Sequence, residues 1–330
     1  MRKFGLLKEA NYPEALIGFA LESFLTTVSF PFSRYSIEPF SQNKERAIGA
    51  DVKIFDRIKR FKPIYFQFKK PYAYPDVSTS HIISDRKNAK PNPLKVKPEV
   101  IYFKLLDKSK HQIDFQHNVL FRLRQKLTRN NIGEAVYLCP LFLDVGTYRS
   151  LMHLEGVKKW LSFFNRSPWF YHKCTLMEGF TKYTFSNTPA LSLHACIPPH
   201  KVVSDAQHKY SFTNNGEELY FHSPENPNIN IITLDKLIYQ ETQNKFIETI
   251  QSNETLKDML SGENEESLIP HPIDLFDGID GIRSWLHFGD FIKFNYGIDQ
   301  YAIIEYDDSF YYEKTIQVNF NEDQRDIDLG

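Results

Sequence analysis

The 330-residue chain is poor in glycine, with 14, and poorer in cysteine, with three. It carries neither a P-loop pattern nor a dinucleotide fingerprint, both of which need glycine where backbone approaches phosphate. Cys139, Cys174 and Cys196 form an odd, sparse set. A disulfide framework is not expected from them, and a reducing cytoplasm suits them. No run of 18 apolar residues occurs, so no membrane span is expected. The start, MRKFGLLKEANYPEAL, lacks the apolar stretch of a signal peptide.

What is present is aromatic. Phe (28) and Tyr (18) lift the aromatic share to 15%, within a hydrophobic share of 42%. That is enough for a sizeable core and favours strands and packed ring clusters. The net charge of −1 conceals an asymmetry. Asp51 to Lys110 holds 15 Lys+Arg against 6 Asp+Glu, a net of +9, whereas Tyr301 to Gly330 holds 2 against 8, a net of −6. A basic region of this kind can hold a polyanion, although a solvated basic loop has the same composition.

Pro13-Glu14 opens a helix whose apolar face is Ala15, Leu16, Ile17, Ala20, Leu21, Phe24 and Leu25, ending at Phe30-Pro31. Strands are expected at Arg34–Phe40, Ala50–Asp56 and Pro63–Lys70, the last two joined as a hairpin by the basic link Arg57–Arg60. Pro71 to Pro98 carries five prolines and reads as a long excursion. A strand follows at Glu99–Leu106. A helix at Asp114–Leu127 buries Phe115, Val119, Leu120, Leu123 and Leu127 and carries Arg122, Arg124, Lys126 and Arg129 outward. A buried strand follows at Ala135–Phe142. Residues 1–145, with an insertion at about 71–113, thus read as a domain of α-β-β-β-α-β order. Residues 146–330 read as an aromatic, strand-rich α+β region. Within it lie a helical stretch at Leu234–Leu260 and strands at FIKFNY, YAIIEY and KTIQVNF.

Strand alternation puts Tyr65, Gln67 and Lys69 on one face and Ile64, Phe66 and Phe68 on the other. In a hairpin the start of one strand faces the end of the next, which brings Asp51 toward Gln67 and Lys69. Glu22 on the first helix is a candidate to complete the set, with Glu45 its rival. Hard oxygen ligands around a lysine suit metal-assisted phosphodiester hydrolysis.

Glu22 within GFALESFL, then Gly49-Ala50-Asp51, then Gln67-Phe68-Lys69 resemble the PD-(D/E)xK nuclease superfamily in its D…QxK variant, similar to Mrr-type and antiviral-defence nucleases. QHNVLFRLRQ (Gln116–Gln125) and VYLCPLF (Val136–Phe142) are similar to the helix and strand that close that fold. The resemblance covers roughly the first 142 residues without the excursion. It implies a restriction-endonuclease-like αβββαβ core, a Mg²⁺ or Mn²⁺ cofactor and DNA, rather than RNA, as substrate, in restriction or antiviral defence. It implies that Glu22, Asp51, Gln67 and the Phe68 backbone carbonyl arrange the metal and that Lys69 assists the attacking water. Gln67 stands where the family more often has an acid, which removes one ligand charge. Gln116 and His117 are accessory candidates. Lys53, Arg57, Lys59, Arg60, Lys62 and Lys70 are the expected phosphate-binding set. The second half is left for a protein partner or a homodimer. A catalytically silent nucleic-acid-binding subunit and a pure interaction module are the rival readings.

Two His-x-Cys pairs, His172/Cys174 and His194/Cys196, have a spacing unlike common zinc modules. Asp205, His208 and His222 suggest a triad whose geometry the sequence does not define. The Trp160–Tyr171 aromatics suit base stacking or a core.

Overall fold

The computed structural model describes residues 6–29, 35–40, 58–105, 116–151, 185, 188–201, 208–222, 230–260 and 281–306. The chain is mixed α/β with two sheets. Its first elements are β1 (Lys8–Glu9), α1 (Glu14–Val28), β2 (Ser36–Pro39), β3 (Ile58–Phe68), β4 (Tyr72–Pro75), α2 (His81–Lys87) and β5 (Glu99–Lys104). Then come α3 (Gln116–Arg129), β6 (Glu134–Pro140), α4 (Pro189–Ser192), β7 (His194–Ile197), β8 (Lys209–Thr213) and β9 (Tyr220–Phe221). The last are β10 (Ile232–Thr233), α5 (Leu234–Gln243), β11 (Ile247–Glu248), α6 (Ser252–Leu260), α7 (Ile282–Tyr296) and β12 (Asp299–Tyr306).

The larger sheet has the order β10-β7-β6-β3-β12-β2, with β11 also pairing β3. All its pairs are antiparallel except β3 with β6. The smaller sheet, β1-β4-β5-β8-β9, is antiparallel throughout. β3 is the spine of the fold. Apart from Lys59 and Arg60 it is buried along its whole length, because both of its faces are covered, and it carries Lys62 and Gln67 into the interior. Pro63 is tolerated there because its carbonyl points toward Gly133. The missing N–H is on that same side, one residue before the β6 pairing begins at Ile64.

Alternation along β3 sorts its side chains as expected. Phe61 and Tyr65 join the core formed with α3, α6, α7 and the smaller sheet. Ile64, Phe66 and Phe68 join the core under α1 and α5. α3 buries Val119, Leu120, Leu123 and Leu127, the stripe its helical spacing predicts, and returns the chain to β6 parallel to β3.

Three expectations are corrected. Ile58–Arg60 is not a hairpin link but the start of β3. The edges of β3 are also taken. β12 pairs it from Ile58 to Phe66, while the opposite edge holds β11 at Arg60–Phe61 and β6 from Ile64 to Phe68. The expected partner strand, Ala50–Asp56, lies outside the described residues. The proline-rich excursion is folded: it holds α2 and β4, which pairs in the smaller sheet with β5, the strand expected at Glu99–Leu106. FIKFNY is helical, the last turns of α7. Its Ile292 continues the buried helical stripe begun by Ile282, Trp285, Leu286 and Phe288, while Phe294 is exposed, and Gly297 closes the helix in the left-handed conformation at φ 61°. Strands from either side of residue 145 share both sheets: β12 lies between β2 and β3, and β8 pairs β5. KTIQVNF and Trp160–Tyr171 lie outside the described residues.

Candidate active site

Gln67 and Lys69 lie at the carboxyl end of the parallel β3/β6 pair, the end at which open α/β sheets generally place ligands. Gln67 is in register with Tyr137 of β6. The Lys69 N–H donates to the Leu138 carbonyl at 2.9 Å, carrying the ladder one residue past the strand. Lys69 Nζ lies 5.6 Å from the Tyr137 ring centroid. Gln67 and Lys69 are 2% and 3% exposed, so the spacing that put them on one face has put them inside the protein.

Burial dominates the electrostatics. Desolvation pushes the Lys69 ammonium from its ordinary 10.5 down to about 8, opposed by the charges of Glu14 and Cys139. Glu14, at the start of α1, accepts the Lys70 N–H at 3.0 Å. It is the carboxylate that the fold brings toward Lys69, and the sequence reading missed it. Its one signal was an acid in the first helical turn after Pro13.

The face of β3 and β6 that carries Lys69 also carries unsatisfied polar atoms. Both amide atoms of Gln67 and the hydroxyls of Tyr65 and Tyr137 are buried without a hydrogen-bond partner. Each costs about 1–3 kcal/mol if it stays so. The two rings belong to the packed core, where Tyr65 meets Phe288 and Tyr137 meets Phe103 and Tyr210, so it is their polar ends that call for a water or polar partner. Burial holds both tyrosine hydroxyls protonated, raising them well above the ordinary range.

The other expected site residues divide. Glu22 is not on this face. α1 packs on the Ile64/Phe66/Phe68 side, where a Cβ on Gly18 would meet the Phe68 ring at 3.2 Å. Tyr301, on that side, is raised by burial and then by the charges of Asp299 and Glu22. Glu22 is therefore separated from Gln67 by the sheet. Asp51 and Glu45 lie outside the described residues, as does the side chain of Gln116. Phe68 pairs Leu138 in the ladder and sends its ring to the α1 side. His117 is buried on α3, edge-on to His208 at 5.9 Å. Tyr137 leads toward that pair through Tyr210 and Phe221.

The expected phosphate-binding set is corrected in part. Lys62 is wholly buried and ion-paired to Glu241 at 2.9 Å. Arg60 pairs with Glu305 and stacks over Phe246. Lys70 pairs with Glu9 at 2.8 Å. Lys59 is exposed, and Lys53 and Arg57 lie outside the described residues.

A divalent cation takes several hard oxygens. Among the described residues the Lys69 face offers the Gln67 amide, and no group of three His, Cys, Asp or Glu could hold a metal. These residues do not by themselves make a Mg²⁺ ligand set. His194 is occupied, with its ring nitrogens 3.0 Å from the Ala190 carbonyl and 3.2 Å from the Tyr148 hydroxyl. His172 and Cys174 lie outside the described residues.

His222 does form a triad-like chain, though not with His208. Its Nδ1 meets Asp85 at 2.9 Å and its Nε2 meets Ser211 Oγ at 2.8 Å. Ser211 is wholly buried in β8, and its Oγ also accepts from Arg86 at 3.2 Å. This geometry clamps α2 to the smaller sheet. Asp205 lies outside the described residues.

No family model, curated protein or solved structure matches the chain.

Proposed function

We propose that the carboxyl end of the β3/β6 pair is a phosphodiester-hydrolysing site on a restriction-endonuclease-like core, with DNA as the substrate class. The carrying observation is Lys69, a buried amine pushed down to about 8 by desolvation. Near neutral pH such an amine exchanges a proton readily, which suits orienting and deprotonating a water beside a scissile phosphate. Gln67 supplies an amide able to hold that water or a phosphate oxygen. Tyr137 and Tyr65 supply hydroxyl donors for developing charge. The β3-α3-β6 order supports the same reading.

A second reading is a catalytically silent nucleic-acid-binding protein. The position of Glu22 behind the sheet favours it.

The test compares wild type, Lys69→Ala and Lys69→Arg on plasmid DNA and on RNA. Incubations run with Mg²⁺, Mn²⁺ or EDTA, from about pH 6 to about pH 10. Metal-dependent DNA cutting that rises with pH to a plateau above about 8 and is lost in Lys69→Ala supports hydrolysis. Binding without cutting supports the silent reading. Neither cutting nor binding in the wild type overturns both.

A further inference from the structure

The outer face of the smaller sheet carries two lysines side by side. Ile101 and Phe103 of β5, and Tyr210 and Phe212 of β8, enter the core, so alternation turns Lys104 and Lys209 to the opposite face. The two are direct partners in the β5/β8 ladder. The Leu105 N–H donates to the His208 carbonyl at 3.0 Å. That next pair is therefore hydrogen-bonded, and Lys104/Lys209 is the closer, non-hydrogen-bonded kind. Like charges placed directly opposite in this way are destabilising.

Both ammonium groups are held by neutral partners. Lys104 Nζ stands over the Tyr72 ring, 5.5 Å from its centroid, and that ring is stacked on Tyr102. Lys209 Nζ donates to His81 Nε2 at 3.1 Å, which requires the imidazole to be neutral. An ammonium has three donors, and His81 takes one of those on Lys209. These contacts fix the two heads without neutralising them. Lys8, Lys70 and Lys95 of the same region pair with Glu99, Glu9 and Glu218. Among the described residues, neither Lys104 nor Lys209 has a carboxylate within ion-pairing distance. Asp85, whose charge reaches Lys209, is engaged by His222 Nδ1 at 2.9 Å. Desolvation and then the charge of Lys104 lower the Lys209 ammonium, with Asp85 opposing. Lys104 is exposed and Lys209 partly so, which leaves the pair open to solvent.

We infer that Lys104 and Lys209 form a binding site for a dianionic phosphate group, free or as a monoester. Two adjacent cations match its two negative charges, and its oxygens accept from the donors left on the ammonium groups. A diester carries a single negative charge and relieves less of the repulsion. Lysines bind phosphate as point charges, so the site selects by charge rather than by fork geometry. It belongs to the smaller sheet and does not depend on chemistry at Lys69.

The test is isothermal titration calorimetry of the full chain at about pH 7.5, where a phosphate monoester is mostly dianionic. The probes are inorganic phosphate, methyl phosphate and the diester dimethyl phosphate, at constant ionic strength. Wild type is expected to bind the first two about tenfold more tightly than the diester. Lys104→Gln and Lys209→Gln should each weaken methyl phosphate about tenfold, while Lys97→Gln, the same charge change at the other end of β5, should not. Without phosphate, Lys104→Gln should leave the melting temperature unchanged or raise it, because it removes a like-charge contact. Should the melting temperature fall, Lys104→Arg decides: it keeps the charge, and loss of phosphate binding there overturns the inference. Saturating phosphate should raise the melting temperature of wild type more than that of either glutamine variant; the general stabilisation by phosphate as an excluded salt cancels in that comparison. No binding by the wild type, or equal binding by wild type and both glutamine variants, would overturn the site. Equal affinity for diester and monoester would overturn the dianion assignment. Glutamine variants that lose a labelled DNA strand but not phosphate would make the pair a strand contact and overturn it as well. Lys69→Ala should bind phosphate as the wild type does, so failure here leaves the hydrolytic reading standing, and the reverse.

Discussion

β3 and the residue that follows it bury two lysines, Lys62 and Lys69, on opposite faces, and replacing each by methionine should move stability in opposite directions. Lys69 has no carboxylate within ion-pairing distance among the described residues and is held at about 8 instead of 10.5 by desolvation. At 1.36 kcal/mol per pH unit, holding the ammonium there costs about 3 kcal/mol at pH 7. Lys69→Met keeps an unbranched apolar chain one atom shorter and removes that cost. It also gives up the contact with the Tyr137 ring, about 1 kcal/mol. The net expectation is a gain of about 2 kcal/mol, with loss of any activity. Lys62 is paired to Glu241 with both side chains almost fully buried, at 0% and 10% exposure. Lys62→Met leaves that carboxylate uncompensated and should cost about 3–5 kcal/mol. The added change Glu241→Gln should recover much of the loss. Between about 8 and 10.5 the unfolded chain binds more protons at Lys69 than the folded one, so wild-type stability rises with pH across that window. The Lys69→Met advantage is therefore full below pH 8 and fades toward pH 10.5. Urea denaturation of the three variants at pH 7 and pH 10 reads both effects. A destabilising Lys69→Met, or an advantage equal at the two pH values, would refute the reasoning.

Two further outcomes follow from buried groups. Burial pushes the His194 imidazole down to about 4, whereas the unfolded chain protonates it near 6.5. Its contribution is complete above 6.5 and declines as pH falls, by about 2 kcal/mol at pH 5. His194→Gln should lose less stability between pH 7.5 and pH 5 than the wild type, and equal losses would remove His194 as the cause. A Cβ on Gly133 would stand 2.4 Å from the Pro63 carbonyl oxygen, a backbone atom with little freedom to yield. Gly133→Ala should therefore lower the denaturation midpoint by the equivalent of about 1–3 kcal/mol, and an unchanged midpoint would show that the α3–β6 turn relaxes freely.

Local pattern carried a good deal of the fold. The i, i+2 alternation of PIYFQFK assigned Tyr65, Gln67 and Lys69 to one face, and the structure agrees because a pleated strand leaves no choice. The helical spacing of Val119, Leu120, Leu123 and Leu127 identified α3 and its buried side for the same reason. Local pattern misled where two periods overlapped. In FIKFNY the aromatic run has strand propensity, but the helical stripe entering from Ile282 continues through it. At Ile58–Arg60 the charges suggested a turn, whereas pairing with β12 and β11 extends the strand through them. Of the second sheet only β5 was expected as a strand, and β4 was read into an excursion, because the partners β8 and β9 arrive more than a hundred residues after β5.

By itself the sequence determined which side chains share a face, since backbone geometry sets those periods residue by residue. Only the tertiary structure decided what each face meets. β12, from the far end of the chain, flanks β3 where a local hairpin strand was expected. α1 carries Glu22 to the opposite side from Lys69, and Lys62 lies paired in the interior while Lys69 lies there unpaired. Long-range strand pairing and burial follow from which distant surfaces fill one another's gaps, and no short window of residues holds that information.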